Sequence, residues 1–402
     1  MKPAASGLLV SRRSFLLASP AACLGASKTV PAALFRYRDP STEFPVLRLT
    51  DPSFSSVLPA HYQHSIARRG NFLLLASDLT GRMEAYRLDL KTGVARQVSE
   101  EEGLDPRSVT LTPDERAVCC TANNRLLRID LSSAHAREVY RVPAGYEAWG
   151  GFALAEDGLY AALTERRQRA GAAPVQVKVE SGSSPSPAAR PPNESPAPKA
   201  SEERNGAWRL RLIRMADGMA ATIAESPEEL SDPVPRPRRA SVLYRRGKSP
   251  WLANYDGQQN FALRTAQGEI GPAIWSPDGR TVFYLSYPSD PHRLHNIREL
   301  TPDSQEDRPV ADTTQFVAFE RNADASVFTG ASGSKASPHV LLLVRAVKRE
   351  LTICEHRASD PTMVSPVFSP NSQQVYFVSD RHGKPAIYSV TVEKLVEETG
   401  GQ

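Results

Sequence analysis

The stretch Gly271-Pro-Ala-Ile-Trp-Ser-Pro-Asp-Gly-Arg-Thr-Val-Phe-Tyr-Leu-Ser286 constrains the fold most, because near-copies of it return along the chain. Ile274 and Trp275 end one apolar run, Ser276-Pro277-Asp278-Gly279 has the chemistry of a tight turn, and Val282 to Leu285 is a β-branched and aromatic run that resumes the strand. Val367-Phe-Ser-Pro-Asn371 before Gln374 to Asp380, and Val109-Thr-Leu-Thr-Pro-Asp114 before Ala117 to Cys120, repeat the pattern. Strand, turn and strand recurring at a period of roughly 40 residues predict the blades of a β-propeller.

The repeat also settles how to read the length. A chain of 402 residues has room for two or three ordinary domains, but repetition of one sheet argues for a single all-β body. The formal charge of +4 comes mostly from arginine, whose guanidinium grips both oxygens of a carboxylate or phosphate. A genome rich in G and C would produce the same bias. No basic run interleaves with aromatics, so no nucleic-acid partner is expected. Cys119 and Cys120 are neighbours in a strand and point to opposite faces, Cys354 is distant and Cys23 lies near the start, so neither a disulfide framework nor a cysteine metal site is predicted.

Residues 1–33 read as a twin-arginine export signal, with Ser11-Arg12-Arg13-Ser14-Phe15-Leu16 before a short apolar run. The apolar part is too short for a transmembrane helix. The reading places the mature protein in the periplasm or outside the cell; Cys23 after Ala21-Ala22 allows a lipoprotein anchor, but Pro20 stands where such sites carry an aliphatic residue. The propeller is assigned to 44–395. Blade 1 is expected over 61–99, blade 2 over 106–142, and blade 3 from Trp149 to Ala224, interrupted at 168–205 by a disordered stretch of Pro, Ser, Ala and charge. A Pro-rich link from Ser226 to Arg239 leads to a weak blade 4, then blades 5 and 6. Blade 7 has only three strands of its own, and the strand Val46 to Thr50 is expected to complete it and close the ring.

Phe368 to Tyr388 resembles the repeat of TolB-type propellers. Leu47-Arg-Leu-Thr-Asp51, Tyr62-Gln63, Tyr86 to Gly93, Leu126 to Leu131, Val139 to Pro143 and Lys384 to Tyr388 resemble the oligogalacturonate lyases in order and spacing, over about 44–392. That resemblance implies a seven-bladed propeller that cleaves galacturonate chains from pectin by β-elimination, with manganese held by histidines and a glutamine. It also implies a substrate-binding arginine near Arg209, the candidate catalytic residue. The aligned metal positions, however, are Pro272, Ala273, Met363, Ser365 and Asp360, so no cofactor is expected. The resemblance thus implies a protein that binds or cleaves acidic oligosaccharide, and the chain is expected to be a monomer. The alternative is a TolB-like, non-catalytic envelope propeller with a protein partner.

Among the remaining residues, His61 and Gln63 are the candidate metal ligands, expected to share one face of a strand. Asp290, His292 and His295 lie together on a loop. Trp149, Trp208, Trp251 and Trp275 are candidates for stacking on sugar, or for core. Gly247-Lys248-Ser249 lacks the upstream glycine of a phosphate loop, and no Gly-x-Ser-x-Gly is present.

Overall fold

A computed structural model describes residues 29–168, 208–290 and 292–392. They form seven antiparallel sheets of four or five strands, a seven-bladed propeller. Each blade begins at the central channel. The innermost strands are Ser56–Val57, Thr110–Leu111, Tyr146–Leu154, Leu230–Pro235, Glu269–Trp275, Phe316–Arg321 and Val367–Phe368 in blades 1 to 7.

The second strand of each blade shows why the repeat folds this way. In Phe72–Ser77 every residue is buried, because both faces of a blade pack on a neighbour. Leu74 and Ala76 enter the core between blades 1 and 2, while Leu73 and Leu75 enter the core between blades 7 and 1. Cys120 and Cys119 divide in the same way, so adjacent thiols lie in different cores and remain unbridged. Seven apolar clusters result, one for each pair of adjacent blades.

The repeated turn is held by its own side chains. Ser276 Oγ donates to Asp278 Oδ1 at 2.7 Å and accepts from Thr281 N at 3.0 Å. Thr112 with Asp114, and Ser369 with Asn371, make the same bonds. Gly279 is required there: φ is +68°, and a Cβ would stand 2.2 Å from the Pro237 carbonyl oxygen.

Blade 7 consists of Val367–Phe368, Gln374–Ser379 and Ala386–Thr391, followed by Pro45–Arg48 from the other end of the chain. Val46 lies opposite Val390 and Leu47 opposite Ser389. A further strand, Phe35–Arg38, pairs outside Pro45–Arg48, where the sequence reading placed none. Its hairpin carries a legible signal: Asp39 Oδ1 accepts from Ser41 N and Thr42 N, as Asp89 does from Lys91 N and Thr92 N in blade 1.

Three boundaries differ from expectation. Blade 1 starts at Ser56 rather than 61. Blade 4 is a complete sheet, since the supposed link from Ser226 to Arg239 contains its inner strand Leu230–Pro235, and Ser249–Asn254 is its third strand. Pro233 and Pro235 disguised that inner strand, but its channel-facing edge is unpaired, so the missing N–H groups cost little. Thr29 and Val30, assigned to the leader, pair with Arg96 and Ala95 on the outer edge of blade 1. The twin-arginine motif, Cys23, residues 169–205 of the insertion and residues 393–395 lie outside the described residues. No described helix is long and apolar enough to cross a membrane.

Val46 is fully buried in the cluster between blades 6 and 7. Val46→Asp places an unpaired charge there and is expected to destabilise the fold by roughly 3 kcal/mol or more, read as a lower denaturant midpoint.

Candidate functional site

The end of the channel where the inner strands begin is crossed by residues 59–64. His61 and Gln63 do not share the face of a strand, because this segment is a turn. Gln63 Nε2 donates to Phe152 O at 2.5 Å and to Arg107 O at 3.4 Å, and Ala60 N donates to Arg107 O at 3.1 Å. His61 Nε2 lies 3.2 Å from Ala273 O. A carbonyl oxygen only accepts, so Nε2 carries the proton in the neutral ring and Nδ1 is bare. Burial holds the His61 pKa below its ordinary value, with Asp232 opposing that shift. The six-residue segment thus touches blades 2, 3, 4 and 5.

These blades are shaped to receive it. The inner strands of blades 3, 4 and 5 each lose register near their starts, between Ala148 and Phe152, Ser231 and Val234, and Ile270 and Ala273. Such bulges re-aim the backbone where a regular ladder would be blocked. In blade 3 the bulge contains Gly150 and Gly151, both with positive φ, and a Cβ on Gly151 would stand 2.7 Å from the Tyr62 hydroxyl. In blade 4 it contains Asp232, held at φ 48° although it is not glycine. The Tyr62 pKa is pushed up by burial first and by the nearby charge of Asp232 second.

Arg107 completes the group. Asp105 caps the single turn Pro106–Ser108 by accepting from Arg107 N at 3.0 Å, and the turn delivers the Arg107 side chain to the mouth. Its Nη2 lies 3.3 Å from Asp232 Oδ1, and the side chain is 65% exposed. Arg245 approaches from blade 4, donating to Gly271 O at 3.3 Å and to Ile270 O. Both arginines act electrostatically on His61.

Arg209 stands further out on blade 3. Its Nε bonds Glu165 Oε2, and its guanidinium carbon lies 3.5 Å from the centre of the Tyr146 ring. Glu165 is fully buried and also accepts from Tyr140 Oη at 2.7 Å. Burial, helped by Glu165, pushes the Tyr140 pKa up to about 12. Arg209 Nη2 is buried with no hydrogen-bond partner among the described residues.

Inside the mouth the channel holds a cavity of about 460 Å³, lined by His61, Gln63, Trp275, Glu320 and Arg321 among others. Glu320 Oε1 accepts from Arg321 N at 3.0 Å, while the Arg321 guanidinium turns away to Trp275 O. Burial pushes the Glu320 pKa up to about 7, against the opposing charge of Arg321.

The other candidates are dispersed. Asp290 accepts from His292 N, and His295 Nδ1 faces Phe316 O. Trp275 is core and donates to Val234 O. Trp208 and Trp251 pack partly buried between blades 3 and 4, while Trp149 is exposed with the Arg166 guanidinium 3.8 Å from its ring. Sequence reasoning missed Arg107, Asp232 and Glu320. Asp105-Pro106 and Asp232-Pro233 were the available signals, and each reads locally as a turn.

The residues aligned with the resembled family's metal ligands do not form a manganese site. The Ala273 carbonyl is taken by His61, and Met363 packs against the apolar cluster between blades 7 and 1. Asp360 caps a turn by accepting from Thr362 N and Oγ1. No group of three or more His, Cys, Asp or Glu suited to an ion occurs among the described residues. A thioether in an apolar cluster and a carbonyl already bonded suit no hard cation.

Fold and mouth together define a seven-bladed propeller with an arginine-bearing channel entrance. Within that class the chain is similar to oligogalacturonate lyases. The family model for oligogalacturonate lyase matches residues 24–165. The oligogalacturonide lyase of Pectobacterium atrosepticum is 26% identical over 400 residues, covering 91% of this chain and 98% of its own. The oligogalacturonate lyase of Dickeya dadantii is 26% identical over 401 residues, covering 92% and 98%. A solved oligogalacturonate lyase in complex with manganese superposes with a TM-score of 0.78 at 25% identity, covering 91% of this chain and 97% of the other.

Two outcomes test the electrostatics. Arg209→Ala leaves the Glu165 carboxylate buried without its cation and is expected to lower unfolding free energy by roughly 3 kcal/mol, with Arg209→Met/Glu165→Leu recovering most of it. For Glu320, the native state binds a proton between the ordinary carboxylate pKa and about 7 that the unfolded chain has released. Its contribution to stability is therefore complete at acid pH and is lost as pH rises through about 7. Urea titrations across that window should show this loss in the parent protein and its absence in Glu320→Gln.

Proposed function

We propose that this protein is an oligogalacturonate-lyase-like propeller that holds short, acidic, pectin-derived oligosaccharides at the channel mouth through arginine. The observation that carries the reading is a similarity spanning 91% of the chain at 26% identity. Arg107 at the mouth and Arg209 beside it add chemistry suited to uronate carboxylates. The unpartnered Nη2 of Arg209 supports a polar ligand there. Exposed Trp149 on the same blade offers an apolar face for a sugar ring.

β-Elimination from a uronate removes the proton α to the carboxylate, and a guanidinium on that carboxylate stabilises the charge that develops. This chain's residues supply the guanidinium side of that chemistry, and no step here is assigned to a metal. The twin-arginine motif at residues 11–16 supports action in the periplasm or outside the cell.

The test is calorimetry with trigalacturonate and with a neutral trisaccharide, alongside ultraviolet detection of unsaturated product with and without manganese. Trigalacturonate is expected to bind, the neutral sugar to fail, and any turnover to be indifferent to added manganese. Equal binding of the two sugars, or binding of neither, would sink the reading.

A further inference from the structure

A carboxylate needs a cation whose donors are still available, and most arginines near the channel mouth have committed theirs. Arg209 is held by buried Glu165 and its one unpartnered nitrogen is itself buried, Arg166 puts two donors on Glu147, and Arg245 is occupied by the carbonyls of Ile270 and Gly271. Arg107 differs. Among the described residues its guanidinium has a single side-chain partner, Asp232, at 3.3 Å, and is otherwise turned toward solvent. Its backbone is nonetheless fixed. Asp105 caps its turn, and Ala60 and Gln63 both donate to its carbonyl.

The surroundings are built around this exposed cation. Asp232 is kept in the left-handed region within the blade-4 bulge, a conformation that costs on the order of 1 kcal/mol for a non-glycine residue. There it meets Arg107 and restrains the guanidinium through one oxygen. The remaining donors form a planar fork of the kind that grips a carboxylate by both oxygens.

We propose that Arg107 is the carboxylate-binding residue of a metal-free uronate subsite at the channel mouth, with Asp232 as its positioning residue. The assignment rests on the proposed affinity for acidic oligosaccharides. It gives the neutralisation of a sugar carboxylate to a guanidinium in a chain whose aligned positions cannot hold manganese. The recognised group is the carboxylate, so an ester of the same sugar binds only weakly.

Calorimetry with trigalacturonate and its methyl ester, in EDTA and again in manganese, tests the assignment on the parent, Arg107→Ala and Arg107→Lys. The parent should bind the acid equally in EDTA and manganese. Arg107→Ala should bind it roughly tenfold or more weakly, the loss of one charge-assisted pair, and Arg107→Lys should fall between. Affinity for the ester should be weak and the same in all three proteins, whereas a merely structural role would affect both ligands alike. Unchanged affinity of Arg107→Ala for the acid, or binding by the parent only with manganese, would overturn this assignment and leave the proposed function standing. Failure of the parent to bind the acid in either buffer would remove both.

Discussion

The structure depends on one packing constraint: a blade buried on both faces delivers alternate side chains to two different interfaces. Phe72–Ser77 illustrates it, with every residue buried and its leucines divided between two cores. A sheet of this kind has no stable existence alone, since each face needs a neighbour, and the arrangement ends only when the last blade meets the first. The cluster containing Leu49, Leu73, Val378 and Ile387 is that meeting. The apolar content is therefore spread over seven seams, and the axis is left as an open channel.

What occupies the end of that channel is decided by the irregular parts of the inner strands. Bulges in blades 3, 4 and 5 make room for residues 59–64, and the segment repays this by satisfying carbonyls that the bulges leave exposed, at Phe152 and Ala273. Gln63, attractive as a ligand in the sequence, spends its amide on two such carbonyls. His61 is a cross-channel tie with its tautomer fixed. The same displacement that turns these side chains into struts brings Asp232, Tyr62 and Arg107 together.

The similarity to oligogalacturonate lyases spans the propeller, whereas the residues aligned with the family's metal ligands have been put to structural use. Met363 contributes to a seam, Asp360 to a turn and Ala273 to the His61 contact.

The sequence alone determined the architecture, because strand alternation and Ser-Pro-Asp-Gly turns are local signals whose bonds lie within a few residues, as in Ser276 to Thr281. It also showed which residues stand at the positions aligned with the resembled family's metal ligands. It obscured the inner strand of blade 4, since prolines argue against a strand unless the unpaired edge is known, and it missed Phe35–Arg38, whose partner strand itself pairs with the far end of the chain. The mouth was decided only by tertiary structure. His61, Arg107, Asp232 and Arg245 are separated by up to most of four blades in sequence, each looks like an ordinary turn or strand residue, and only closure of the ring brings their charges within range of one another.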